Sequence, residues 1–116
     1  MEATTISGLR RVIEGREGKT LAGFYADDAV LHIIDQDNPP GRPREIKGHQ
    51  AIAGCFDDVC GRAMTHRMQG GVAEGDRIAF TQACTYPDGK RVFRAASLEL
   101  AGGKIARQVS IQAWDP

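Results

Sequence analysis

The stretch that decides the fold runs from Arg91 to Pro116, RVFRAASLELAGGKIARQVSIQAWDP. Two runs, 91–100 and 105–114, flank the turn AGGK. In the second run Ile105, Val109, Ile111 and Ala113 share one parity, and Gln108, Ser110, Gln112 and Trp114 share the other. Successive side chains on a strand point to opposite faces, so this run has an aliphatic face and a glutamine face. The simplest assignment sends the aliphatic face to a core and the glutamines to water. Trp114 at the end of the polar face resists that assignment. The alternative is that the glutamines line a pocket.

Working back from there, Arg77–Tyr86 and Met64–Ala73 read as two more strands, separated by EGD and PDGK. Each break carries the glycine a tight hairpin needs, and Asp88-Gly89 is the strongest hairpin signal in the chain. Residues 64–114 therefore read as a four-stranded meander. Before it, Gly48 opens a helix with the stripe Ile52, Cys55, Phe56 and Val59, and Gly61 is expected to end it in a left-handed cap. Ala29–Asp35 reads as a strand and Glu45–Lys47 as a short edge strand. The loop QDNPPGRPR between them carries three prolines that cannot donate ladder hydrogen bonds. Its role, a rigid lip over a pocket or a subunit contact, is open.

At the start, Ile6, Leu9, Val12 and Ile13 recur at helical spacing. Gly15 and Gly18 interrupt the pattern, and a glycine inside a helix costs ~1 kcal/mol against alanine. A second helix is expected over Lys19–Ala26, burying Leu21, Phe24 and Tyr25. Helices, a strand pair, a helix and a meander make an α+β fold with a mostly antiparallel sheet. The 116 residues are expected to form one domain, 1–116.

Fifteen basic and fifteen acidic residues give zero formal charge, mixed along the chain. That balance argues against a nucleic-acid or anionic-membrane partner. Residues 1–25 hold no continuous apolar run, so neither a signal peptide nor a membrane span is expected. The three cysteines, Cys55, Cys60 and Cys84, form no Cys-x-x-Cys and suit reduced thiols in the cytoplasm.

Three stretches carry a family resemblance. Phe24-Tyr25-Ala26-Asp27-Asp28-Ala29-Val30, Ile46-Lys47-Gly48-His49-Gln50-Ala51-Ile52, and Gly103-Lys104-Ile105 with Trp114-Asp115 resemble, in order and spacing, the SnoaL-like branch of the nuclear transport factor 2-like superfamily. The resemblance covers nearly the whole chain. It implies a cone: a strongly curved sheet wrapped around about three helices, with a pocket between them. It implies a homodimer through the outer sheet face, with Val109 and Ile111 in the interface. It also turns Gln108, Ser110 and Gln112 toward the pocket, where buried amides need partners.

Within that resemblance the chemistry is incomplete. The general base of the related steroid isomerases falls on Ile33 and their second acid on Ala95, so both carboxylates are missing. Asp35, two residues beyond Ile33 on the same face, is a substitute base or simply a turn-starting aspartate. The match to scytalone dehydratase places one catalytic histidine on His66, and its second has no counterpart. His66 is the leading acid/base candidate, since a free imidazole titrates near 6.5; the competing assignment is a hydrogen-bonded sheet histidine without chemistry. Tyr25, Gln82, Gln108 and Gln112 are candidate ligand-binding residues. Trp114 is a flat wall for a ring or a plug for the end of the cone. Arg94, between Phe93 and Ala95, is expected to face outward. His32, Asp35 and His66 have the composition of a facial metal triad, but parity separates His32 from His66, so no metal and no cofactor are expected.

Three functions remain: a cofactor-independent isomerase, dehydratase or cyclase acting on a partly apolar oxygenated ring compound; a non-catalytic small-ligand-binding domain; and an assembly module using the outer sheet face.

Overall fold

The computed structural model describes residues 4–116. The elements are α1 (Ile6–Glu14), α2 (Gly18–Ala22), β1 (Tyr25–Ile34), β2 (Arg44–Lys47), α3 (His49–Gly61), β3 (Thr65–Glu74), β4 (Arg77–Thr85), β5 (Arg91–Ala101) and β6 (Lys104–Trp114). Thr5 caps α1, its hydroxyl accepting from the Gly8 amide at 3.0 Å. The helix buries Leu9, Val12 and Ile13 along one stripe, worth roughly 1.5–3 kcal/mol for each large aliphatic side chain.

The second helix is shorter than the sequence suggests. It ends at Ala22, and Tyr25 begins β1 instead of closing the helix. The Gly23 amide closes the last turn on Lys19 and Thr20, and the Ile105 amide then donates to the Phe24 carbonyl at 2.8 Å. Pairing with β6 captures the segment, a tertiary override of local helix preference. Gly18 allows α2 to lie close on α3, since a Cβ there would meet the Phe56 carbonyl oxygen at 3.0 Å. Gly61 is the last residue of α3 rather than a left-handed cap; the chain turns extended at Arg62 and runs into β3.

The six strands are ordered β2-β1-β6-β5-β4-β3. All neighbouring pairs are antiparallel except β1 with β6. The architecture is the expected α+β cone, with α1 packed on β3, and α3 on β1 and β2. The other sheet face carries Val72, Phe93, Val109 and Ile111 in exposed positions. No helix among the described residues is long and apolar enough to cross a membrane.

A bulge in the last hairpin corrects two expectations. Leu100 pairs with Ile105, but Glu99 pairs with Arg107, so Ala106 is an extra residue on β6. A one-residue shift exchanges the faces of a strand. Ile105 is therefore fully buried while Val109 and Ile111 are exposed. On β5, Arg94 pairs with Gln112 and Ala95 with Ile111. Arg94 thus faces inward on the parity of Ala96 and Leu98, and Phe93 and Ala95 face outward, the reverse of what the resemblance implied by setting Ala95 in the pocket. The position carried over for the steroid isomerases' second acid consequently lies on the outer face.

Candidate functional site: a cavity between α3 and the sheet

A cavity of about 560 Å³ opens between α3, the β1–β2 edge and the inner faces of β3 to β6. That volume lies within the usual range for a small-molecule pocket. Its walls include Ile33, Cys55, Val59, Met64, His66, Cys84, Val92, Arg94 and Gln112. A void of about 30 Å³, water-sized, adjoins it and is lined by Tyr25, Phe56, Phe80, Gln82 and Gln108, among others. His66, Val59 and Arg94 border both spaces.

The candidate residues divide between these spaces. His66, Asp35 and Gln112 line the larger cavity. Tyr25, Gln82 and Gln108 line the void. Trp114 borders neither; it sits in a groove with Arg62, Tyr86, Gln112 and Asp115 at the end of β6. Of the three prolines in the β1–β2 loop, none lines the cavity, whose rim there is Arg44 and Glu45.

Around the void the polar groups satisfy one another. The Tyr25 hydroxyl donates to Gln108 Oε1, and Gln108 Nε2 donates to Ser110 Oγ at 2.9 Å. All three residues are buried. Burial pushes the Tyr25 phenol well above its ordinary pKa, so it remains a donor. Its ring packs on Phe56 with centroids 5.1 Å apart.

His66 on β3 stands directly opposite Cys84 on β4. Its Nδ1 lies 3.1 Å from Cys84 Sγ and 3.2 Å from Gln82 Nε2. Its Nε2 is buried and has no hydrogen-bond partner. Burial first, then the charges of Arg94 and Arg16, lower the imidazole pKa, so the ring is neutral at pH 7. With the Gln82 amide nitrogen donating to Nδ1, the proton sits on Nε2 and the ring is a donor toward its free side. Turning the amide over so that its oxygen accepts from Nδ1 makes Nε2 a base. The two neutral tautomers, with Nε2 as donor or as acceptor, thus differ by one amide rotation. Burial raises the pKa of the Cys84 thiol, so it stays protonated and is a poor nucleophile.

The carboxylates at the cavity are engaged elsewhere. Asp35 Oδ1 accepts from the Asp37 and Asn38 amides, both at 2.9 Å, and from Asn38 Nδ2 at 2.8 Å. That is an Asx-type turn. Glu45 pairs with His32 across the β1–β2 ladder at 2.9 Å, and the hydrogen bond from His32 lowers its pKa. Asp58 holds Arg62 at 2.6 Å. His32 does not line the cavity. Among the described residues, no three or more His, Cys, Asp or Glu side chains gather where they would hold a metal ion.

Arg94 is the functional candidate that the sequence reading missed. Its Nε is buried without a partner. Among the described residues it makes no salt bridge within 4.0 Å. The signal that would have revealed it is the alternation of β5 itself, in which Arg94 shares its parity with Ala96, Leu98 and Leu100.

A curved sheet enclosing a polar-floored cavity beneath helices defines a class of pocket protein. Residues 8–108 match the SnoaL-like domain, and the chain belongs to that family. No curated protein matches the chain. Among solved structures, a proposed ketosteroid isomerase from Kribbella flavida DSM 17836 is similar with a TM-score of 0.76 at 18% identity, covering 95% of this chain and 77% of that one. A proposed polyketide cyclase from Sinorhizobium meliloti is similar with a TM-score of 0.66 at 17% identity, covering 90% and 91%. A computationally designed 17-OHP binder is similar with a TM-score of 0.66 at 18% identity, covering 95% and 93%. At these identities the likeness is one of fold.

Proposed function

We propose that the protein takes a partly apolar, oxygenated ring compound into the 560 Å³ cavity and that His66 acts on it as a cofactor-independent acid/base, in an isomerase, dehydratase or cyclase reaction. The observation carrying this reading is the neutral imidazole with an unpartnered, buried Nε2, its other nitrogen held by Gln82 and Cys84. An imidazole that is unprotonated at pH 7 is able to take a proton from a carbon next to a carbonyl. Gln112 would orient a ligand oxygen from the cavity side, and Tyr25 and Gln108 would serve the site from behind, by fixing its floor. Asp35 would shape the rim through its turn rather than serve as a base. Related structures described as a ketosteroid isomerase and a polyketide cyclase agree with this class of chemistry.

The test is hydrogen exchange in D2O with 2-tetralone and 1-indanone, read by mass spectrometry. Protein-dependent deuterium uptake at the α-carbon that disappears in a folded His66→Ala variant is the expected result. Uptake unchanged in that variant would remove His66 from the chemistry. The non-catalytic reading is favoured by one feature: among the described residues no free second base lines the cavity, its three carboxylates being held in a turn or ion pairs. Ligand bound without exchange or conversion would decide for it. The designed binder of the same fold illustrates that the scaffold accepts such use.

The protein is further proposed to pair with a second copy through the outer sheet face, where Phe93, Val109 and Ile111 are exposed. Native mass spectrometry of the purified protein tests this, and a monomer at micromolar concentration refutes it. Its three cysteines are free, which agrees with a cytoplasmic address; cell fractionation is the corresponding test.

A further inference from the structure

We infer that the cavity selects a ring compound bearing a carboxylate, with that carboxylate bound by Arg94 beside His66. This rests on the pocket reading above and names its ligand class. Three observations carry it. First, Arg94 projects from β5 into the wall shared by the cavity and the void, with its Nε buried and accepted by no protein group. A guanidinium keeps its proton, so this half-buried cation, with one donor unused, favours an anion in the cavity.

Second, among the described residues no carboxylate pairs with Arg94. The cavity carries four cations, Arg44, Lys47, Arg62 and Arg94, against three carboxylates, Asp35, Glu45 and Asp58. Each of those carboxylates already holds another group: a turn, His32 or Arg62. The titratable groups on which the Arg94 charge acts are Tyr25, Cys60, His66 and Cys84. Burial holds the phenol and both thiols protonated and the imidazole unprotonated. These four neighbours of Arg94 are therefore neutral and offer it no counter-charge.

Third, the shape of the lining fits the rest of such a ligand. Ile33, Val59, Met64 and Val92 offer apolar wall, and Gln112 lies across the ladder from Arg94. A planar guanidinium grips a carboxylate through two parallel hydrogen bonds, which a neutral amide cannot reproduce.

The experiment compares 2-naphthoate with its neutral analogue 2-naphthamide by calorimetry at pH 7.5. The expected result is at least about tenfold tighter binding of the naphthoate, the size of one charge-assisted hydrogen bond. In Arg94→Met the preference disappears; Arg94→Lys keeps the charge without the fork and retains a part. A second readout uses the wild-type chain alone: on binding naphthoate, the His66 imidazole pKa rises in an NMR titration, because the anion offsets Arg94. Equal affinity for the two probes overturns the inference while leaving the pocket reading standing. Binding of neither probe overturns both. A naphthoate preference kept by folded Arg94→Met, or a His66 pKa unmoved by naphthoate, removes Arg94 as the anion's partner.

Discussion

Replacing Tyr25 with phenylalanine removes one oxygen and isolates one interaction. The hydroxyl is the donor to Gln108 Oε1, and both residues are buried, at 4% and 6% exposure. In Tyr25→Phe the Gln108 carbonyl loses that donor inside the protein. Leaving a buried acceptor unsatisfied costs about 1–3 kcal/mol. At roughly 4 °C per kcal/mol for a domain of this size, the melting temperature should fall by roughly 4–12 °C. Gln108→Leu alone strands the phenol and takes the donor from Ser110 Oγ, for a loss of similar size. Once both polar partners are gone, neither strands the other. The double variant should therefore lose less than the sum of the singles, by about 1 kcal/mol or more. Urea unfolding followed by circular dichroism measures all four corners of the cycle. Additivity to within about 0.5 kcal/mol would refute the reasoning. It would mean that the two groups act independently, each toward the cavity, and would return both to the role of direct ligand contacts.

Four further outcomes follow from the same geometry. Asp35→Ala should destabilise by about 1–2 kcal/mol through loss of the turn's hydrogen bonds, and leave any His66-dependent exchange rate in place; a rate lost in a folded variant would make Asp35 catalytic after all. Because the His66 pKa is lowered in the fold, the folded state binds fewer protons than the unfolded one. Its contribution to stability is full above about pH 6.5 and is lost as pH falls toward and through the lowered folded value. His66→Gln should flatten that acid-side decline in urea midpoint between pH 7.5 and 5.5, and an unchanged slope would contradict the shift. Gly70 is an extra residue on β3, between Gln69 opposite Thr81 and Gly71 opposite Phe80, and sits at φ 57° with open space where a Cβ would stand, so Gly70→Ala should cost about 1–2 kcal/mol from backbone strain alone, with Asn milder; a neutral alanine would argue against this second bulge. Ile111→Asp should turn a dimer in native mass spectrometry into monomer with the melting curve of the isolated chain intact, whereas a persistent dimer would move the interface elsewhere.

The element order was legible because short-range chemistry specifies it. Asp88-Gly89 and the glycines at 102 and 103 mark hairpins wherever they fall, and the Leu9, Val12, Ile13 stripe needs only helical period to be seen. The second helix and its end were not legible. Tyr25 looks helical beside Leu21 and Phe24, and only the distant Ile105 amide, donating to Phe24, makes it a strand. The site was half legible. His66, Gln82 and Gln112 face inward as alternation and resemblance implied, since β3 and β4 keep register from Thr65 to Gln69. Arg94 was misread because the match to the steroid isomerases set Ala95 in the pocket, against the parity of Ala96 and Leu98 on the same strand. The Ala106 bulge carries no sequence mark of its own, and it sets Gln112 instead of Ile111 opposite Arg94.

The bulge also divides the glutamine face between two tasks. Gln108, nearer the bulge, lies under the helices and spends both ends of its amide on Tyr25 and Ser110. Gln112, further along the same face, emerges into the cavity opposite Arg94. The stripe is therefore structural at one end and ligand-facing at the other. Arg94 in turn shapes what His66 is able to do. Its charge helps hold the imidazole neutral in the free protein, which favours a base over an acid. A carboxylate seated on Arg94 would cancel that influence and draw the His66 pKa upward. Ligand binding would then bring a proton toward the imidazole, and affinity for the anion would rise as pH falls toward the imidazole range. Proton uptake on binding, read as a buffer-dependent calorimetric enthalpy, separates this coupled site from a pocket in which arginine and histidine act alone: uptake requires both, and its absence with naphthoate bound would uncouple them.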